Sequence, residues 1–431
     1  MKRNIDEKLL EWKSSQIRKP LLIRGARQVG KTFSINEFAK NNFGGKYISF
    51  NFEKNLDLHG VFEKNLDTNR IIPLLELFSG MKIEPGKTLI FFDEIQSCPK
   101  AIASLRYFYE QVPELHVIAA GSLLEFALSE ISFPVGRLQM LNMYPMTFLE
   151  FLYATRKELL ANWLSQPHED YPDTIIDLIN NEMYTFFIIG GMPECVGVYM
   201  NTGSIIDVIN TQNDLIATFR QDFSKYAGHT DKRCLNAVLN AVAAKVGEQI
   251  KYAQLSVDFT GPTIKKSFEM MEQARLYTKV RSANPVGIPL GANASEKVFK
   301  SVFLDIGLFS AMNGFSSDVR VPKNKMASAF NGKLTEQFVG QELRAKYGEN
   351  LYYWSRNQRG SSAETDYLIE NQGEIFPVEV KSGKSGKLRS LHLLLKEYPN
   401  VKKAIVLTED KAGSIPEQKI DFLPLFCAGR L

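Results

Sequence analysis

The sequence predicts an α/β protein in three parts: a parallel sheet covered by helices, a mostly helical middle, and a smaller α/β module at the end. Three observations predict it. Short unbroken apolar runs alternate with segments of helical period over the first third, the period turns helical after about residue 152, and strand-like runs return beyond residue 327. The expected domains are 1–152, 153–326 and 327–431. A chain of 431 residues is long enough for two or three domains.

In the first part the runs "PLLIRG", "KYISFNFE", "TLIFFDE" and "LHVIAAGS" have the unbroken apolar character of strands buried on both faces. In the second, "IIDVINTQNDLIATFRQDFSKY" sets Ile205, Ile209, Ile216, Phe219 and Phe223 near one helical face. "YAQLSVDFTGPTIKKSFEMMEQARLYTKVRSA" then predicts a helix, a Gly-Pro turn, a helix carrying Ile264, Phe268 and Met271, and a short strand, an order compatible with a winged helix. In the third, the helix "GKLTEQFVGQELRAKY" precedes strands "NLYYWSR", "TDYLIE" and "IFPVEVK", a helix "LRSLHLLLKEY" and a strand "KKAIVLT".

Composition excludes several classes. Hydrophobic residues at 44% and charged residues at 23% are ordinary for a water-soluble chain, and a net charge of +4 does not announce a nucleic-acid protein. Cys98, Cys195, Cys234 and Cys427 form no CxxC pair, which argues against a zinc ribbon or a disulfide framework. The opening "MKRNIDEKLLEWKSS" lacks the apolar core of a signal peptide, and the run around "MYTFFIIGGM" is too short to span a bilayer. The expectation is a cytoplasmic protein without a membrane partner.

Chemistry enters at residues 25–32. Gly25, Ala26, Arg27, Gln28, Val29, Gly30, Lys31 and Thr32 satisfy G-x-x-x-x-G-K-[ST], between the strand "LLI" and the helix "FSINEFAK". The glycines permit dihedrals and close approaches that a Cβ would obstruct, so successive N–H groups can face phosphate oxygens at the positive end of the helix. Lys31 would reach the β- and γ-phosphates of ATP, and the Thr32 hydroxyl would ligate Mg²⁺. "TLIFFDEIQ" adds Asp93 as a metal ligand and Glu94 as the base for the attacking water. Ser122, after "HVIAAG", is a candidate γ-phosphate sensor and equally a candidate helix N-cap. Arg137 is a candidate for neutralising transition-state charge.

Together "GARQVGKT", "LIFFDEIQ", "AAGS", the "GR" before "YPMTFLEFL", "GGMPE" and "LDIGLFSAMNG" resemble prokaryotic AAA-type ATPases that carry a C-terminal domain of unknown function related to restriction-endonuclease-like folds. The resemblance implies an AAA-like P-loop core, a winged-helix-like middle and a nuclease-like end.

Such nucleases need carboxylates that hold a divalent ion and a lysine that orients water. In "FPVEVKSG", Glu379 and Lys381 lie two apart on one strand face. Asp366 in "ETDYLIE" precedes an "NQG" turn nearly midway to Glu379, so a hairpin would bring Asp366, Glu379 and Lys381 together. Glu336, on the preceding helix, is the fourth candidate, matching by position the helical glutamate of such nucleases. The expected metal ligands there are Asp366 and Glu379. An ordinary cross-face ion pair on an exposed sheet accounts for Glu-x-Lys equally well.

Between Lys251 and Arg281, Lys251, Lys265, Lys266, Arg275, Lys279 and Arg281 outnumber Asp258, Glu269 and Glu272, which suits phosphate contacts or merely a solvated helix face. The five histidines form no spaced ligand cluster. Three readings stay open: an Mg²⁺-dependent ATPase whose nucleotide state controls a nuclease-like, nucleic-acid-handling module (DNA ahead of RNA); an ATP-gated regulatory protein whose nuclease-like domain is inactive; and an endonuclease licensed by ATP. Oligomeric state is left open.

Overall fold

The structure is a computed structural model of the chain and describes residues 1–130, 136–168, 171–226, 230–314, 328–358, 361–382 and 388–431. It divides into two compact units, Met1–Tyr144 and Pro145–Leu431.

The first unit holds five parallel strands: β1 (Leu21–Arg24), β2 (Tyr47–Asn51), β3 (Leu89–Asp93), β4 (His116–Gly121) and β5 (Gln139–Asn142). Their spatial order is β2-β3-β4-β1-β5. All of β3 and β4 is buried, which is why "LIFFD" and "HVIAAG" carry no polar alternation. Phe52, Phe62, Phe92 and Phe108 pack edge-on or tilted, with ring centroids 5.5–6.0 Å apart. In a parallel sheet every strand ends at the same edge. The P-loop after β1, the carboxylates ending β3 and the serine after β4 therefore share that edge.

The second unit carries eight strands: β6 (Tyr277–Ser282), β7 (Ser295–Phe303), β8 (Tyr352–Gln358), β9 (Ser361–Asn371), β10 (Glu374–Val380), β11 (Ala404–Thr408), β12 (Gly413–Ile415) and β13 (Ile420–Pro424). The order is β12-β13-β11-β10-β9-β8-β6-β7. Strands from the expected middle and C-terminal domains thus form one sheet, joined where Arg281 and Ser282 of β6 pair with Tyr352 and Tyr353 of β8. The expected cut at residues 326 and 327 lies outside the described residues. The cut expected at 152 differs from the unit boundary because Phe148, on the helix Phe148–Ala154, packs 5.7 Å from Phe186 and 6.1 Å from Phe338.

Two further differences are local. Tyr252–Gln254 is a single 3-10 turn instead of a helix, and the helix Gly261–Gln273 starts at the Gly-Pro pair. Proline lacks only an N–H that the first turn leaves unused anyway. β7 was not expected, because buried Lys300 and Ser301 interrupt its apolar run.

The motifs "GGMPE" and "LDIGL" form a clasp. Asp305 is fully buried and caps the helix Ile306–Met312, accepting from the N–H groups of Gly307 and Leu308 at 2.9 and 3.1 Å and from Gly191 at 2.6 Å. Gly191 must be glycine, since a Cβ would stand 2.1 Å from the Met146 carbonyl oxygen. Among the described residues no single helix is long and apolar enough to cross a membrane. The helices Asp173–Ile189 and Pro193–Thr202 pass that test of length and composition only as a pair bent by 114°.

Glu342 is buried and accepts from the Phe148 N–H at 2.8 Å, while Glu150 lies close enough to repel its charge. Burial chiefly, then Glu150, pushes its carboxyl up to about 8, against the Phe148 bond. An unfolded glutamate titrates near ~4.3, so between that value and 8 the native state holds a proton that the unfolded state has released. Stability should therefore decline as pH rises from about 5 to 8 by a few kcal/mol. In Glu342→Gln, urea unfolding across that range should lose this component of the slope; an unchanged slope would assign the dependence elsewhere.

Candidate functional site

The loop at residues 25–32 is shaped by close approach and by left-handed backbone. A Cβ on Gly25 would lie 2.3 Å from the Met143 carbonyl oxygen, so only glycine lets β1 turn there. Gly30 has φ 97° and opens the helix Lys31–Asn42, and Gln28 has φ 64°. Left-handed residues alternating with right-handed ones turn successive N–H groups toward one concave side, at the positive end of that helix. Lys31 is buried and donates to the carbonyl oxygens of Gly25 and Ala26 at 3.0 and 2.8 Å. Its ammonium thus braces the loop it extends from.

Beside it the Thr32 hydroxyl lies 3.1 Å from Asp93 Oδ1, and Asn51 at the end of β2 donates to Asp93 Oδ2 at 3.0 Å. Burial raises the Asp93 carboxyl, and the Glu94 charge adds to that rise, while the bonds from Thr32 and Asn51 oppose it. A hydroxyl and a buried carboxylate side by side are the hard oxygen donors that Mg²⁺ takes, so these two residues fit that ion. Glu94 leaves β3 with φ 48° and ψ 45°, a left-handed conformation that costs a non-glycine residue. Its Oε2 accepts from Gln96 Nε2 at 2.6 Å and from Ser122 Oγ at 3.4 Å.

Arg137 is not brought to this group. It precedes β5, pairs with Glu110 at 3.1 Å and lies over the Tyr109 ring, near the edge where the strands begin. The sequence reading assigned no role to Gln96 or Asn51. Gln96 was visible in "DEIQ", but the contact with Glu94 depends on the turn Ile95–Ser97 folding it back.

The C-terminal candidates form a second cluster. Asn371 pairs with Glu374 across a turn in which Gln372 and Gly373 both have positive φ, the geometry that "NQG" favours. The register that pairs Val378 with Tyr367 sets Glu379 opposite Asp366. Asp366 Oδ2 accepts from the Val380 N–H at 2.7 Å, and Glu379 Oε1 pairs with Lys381 at 2.6 Å. At the centre stands a residue the sequence reading missed. Lys300, 2% exposed on its side chain, lies 2.8 Å from Glu336, 3.4 Å from Asp366 and in contact with Glu364. Burial works against its charge, but Glu336, Asp366 and Glu364 together hold the ammonium well above its ordinary range. Burial likewise pushes the Glu336 and Glu379 carboxyls upward. The signal was a lysine inside the apolar run "VFKSVFLD".

A second metal ion fits this cluster poorly. Among the described residues Glu379 Oε2 is buried without a partner, yet Asp366 is engaged on both oxygens. Among the described residues no group of three or more His, Cys, Asp or Glu is arranged to hold a metal ion.

Residues 17–152 match the family described as an AAA domain, 180–319 a domain of unknown function (DUF8612), and 331–428 another (DUF4143). No curated protein matches the chain. Among solved structures, the Walker-type ATPase Paby2304 of Pyrococcus abyssi is 16% identical with a TM-score of 0.45, over 72% of this chain and 95% of its own. The Aeropyrum pernix Orc1 protein in complex with DNA is 13% identical with a TM-score of 0.26, over 72% and 90%. Residues 17–152 are thus similar to an AAA domain and contain the five-stranded parallel sheet; ATPases of that kind bind nucleotide, usually with Mg²⁺.

Replacing Lys31 by alanine removes the brace on Gly25 and Ala26 together with the charge that the sequence motif predicts for phosphate. Calorimetry should show ATP affinity weakened by roughly 100-fold or more. Wild-type affinity in Lys31→Ala would place the nucleotide elsewhere.

Proposed function

We propose that this chain is an Mg²⁺-dependent ATPase whose nucleotide state controls a nuclease-like module that handles nucleic acid, DNA ahead of RNA. The observation that carries the reading is the gathering of Thr32, Asp93, Glu94 and Ser122 at the sheet edge that also carries the P-loop. Thr32 and Asp93 would hold Mg²⁺, which draws charge from the phosphate oxygens. Residues 25–32 bind the phosphates through N–H groups and the Lys31 ammonium. Glu94 accepts a proton from water as the water oxygen bonds to the γ-phosphorus. The bond from that phosphorus to the bridging oxygen breaks, its electron pair stays on ADP, and Glu94 passes the proton to solvent.

Fold order supports the remaining parts. The helices Lys232–Ala244 and Gly261–Gln273 followed by the antiparallel pair β6 and β7 suit a winged helix, with Lys265 and Lys266 exposed for phosphate contacts. The helix Ser328–Tyr347, strands β8 to β10, the helix Arg389–Glu397 and β11 suit a restriction-endonuclease-like core that gathers Glu336, Asp366, Glu379 and Lys381.

One observation favours the second reading, in which that module recognises without cutting. Lys300 occupies the centre of the carboxylates that a cleavage metal would need.

ATP turnover measured with and without single- and double-stranded DNA and RNA tests the first reading. Glu94→Gln should retain ATP while turnover falls roughly 10²- to 10⁴-fold; undiminished turnover would remove Glu94 from the chemistry. For the second reading, Lys300→Ala should cost about 3–5 kcal/mol in urea unfolding, because it strands buried carboxylates. The wild-type chain should neither cleave nucleic acid nor shift its melting temperature through this cluster when Mn²⁺ is added. Mn²⁺-dependent cleavage that Asp366→Asn or Lys381→Ala abolishes would restore the nuclease.

A further inference from the structure

We infer that Gln96 is the positioning residue for ATP hydrolysis, holding one oxygen of Glu94 so that the other is presented to the attacking water. The inference rests on the hydrolytic reading above and deepens it.

Three features of Gln96 converge. Its Nε2 donates to Glu94 Oε2 at 2.6 Å. The atom facing the carboxylate has to be the nitrogen, since two acceptor oxygens at that distance would repel. Its Oε1 is buried with no hydrogen-bond partner among the described residues. That oxygen lies over Gly121, where a Cβ would stand 2.0 Å from Oε1, 2.9 Å from Leu124 Cγ and 3.1 Å from Gln96 Cδ. The amide is therefore seated in a slot that exists only because β4 ends in glycine. It gives up hydration of its carbonyl to sit there.

A glutamine serving only to fill space would turn its carbonyl outward to water. Here the glycine slot and the bond from Nε2 hold the side chain in the orientation that grips Glu94, at the cost of an unsatisfied carbonyl. Glu94 needs such a grip. Its backbone is held in the left-handed region, while its side chain retains three torsions and has, among the described residues, only a long contact from Ser122 at 3.4 Å besides. A base whose carboxylate rotates freely spends little time within reach of the water it must deprotonate. With Oε2 held by Gln96 and approached by Ser122, Oε1 is left as the acceptor.

A double-mutant cycle between Gln96 and Gly121, read in ATP turnover and ATP affinity together, tests this. In Gln96→Ala, kcat should fall about tenfold or more, the worth of a hydrogen bond to a charged group, while ATP affinity stays within twofold. Gly121→Ala should reproduce that loss in the wild-type background by expelling the amide, and should cost much less in the Gln96→Ala background, where only the Leu124 side chain has to give way. Gln96→Met, which fills the space without a donor, should behave as Gln96→Ala does. A merely structural role predicts the reverse, with Gln96→Met active and ATP affinity falling alongside kcat through disturbance of Asp93. If the wild type binds ATP without turning it over, the hydrolytic reading falls and this inference with it. If the wild type turns over and Gln96→Ala keeps pace, or the two substitutions add independently, the inference alone is overturned.

Discussion

An ionised carboxylate withdrawn from water has to be met by a cation, an N–H or O–H donor, or a proton, and that demand organises both units. Asp93 is met by Thr32 and Asn51, and this fixes the end of β3 against the P-loop helix. Asp305 is met by three backbone N–H groups from two distant segments, and this ties residue 191 to the start of a helix more than a hundred positions later. Glu336, Glu364 and Asp366 are met by Lys300. Where no second donor is supplied, as at Glu342, the proton stays on. Each solution uses different partners, so each makes a different part of the fold necessary.

The same accounting separates motifs that carry chemistry from motifs that hold shape. "GARQVGKT" and "DEIQ" converge on one open edge. "GGMPE" and "LDIGL", equally prominent in the sequence, are spent on the Asp305 clasp, where the glycines make room for a carboxylate and a carbonyl. Their recurrence in a resemblance therefore speaks of architecture.

Much of this was legible in the sequence because local rules decide it. The strands of the first sheet, the P-loop with its helix and the hairpin centred on "NQG" follow from period, glycine placement and turn chemistry. What was illegible depends on distant partners. Lys300 looks like an interruption of a strand until Glu336 and Asp366 arrive from residues far along the chain. Gln96 looks like a turn residue until Gly121 supplies its slot. Arg137 looked catalytic from its neighbours in sequence, yet parallel topology carries it toward the strand beginnings, where Glu110 pairs with it. Helical period likewise failed at 252–254, where the Gly-Pro pair starts the helix later.

The shared sheet of the second unit has a bearing on what can be separated. β7 contributes the ammonium and β9 and the helix Ser328–Tyr347 contribute the carboxylates, while β6 covers the edge of β8. A fragment beginning at residue 327 would leave Glu336, Glu364, Asp366 and Glu379 facing one another with Lys381 as their only lysine from this cluster, and would bare an edge strand. Neither half is a transplantable cassette. An exchange that moved the last hundred residues into another chain would have to carry a replacement cation with them, or find its acidic cluster taking up protons instead.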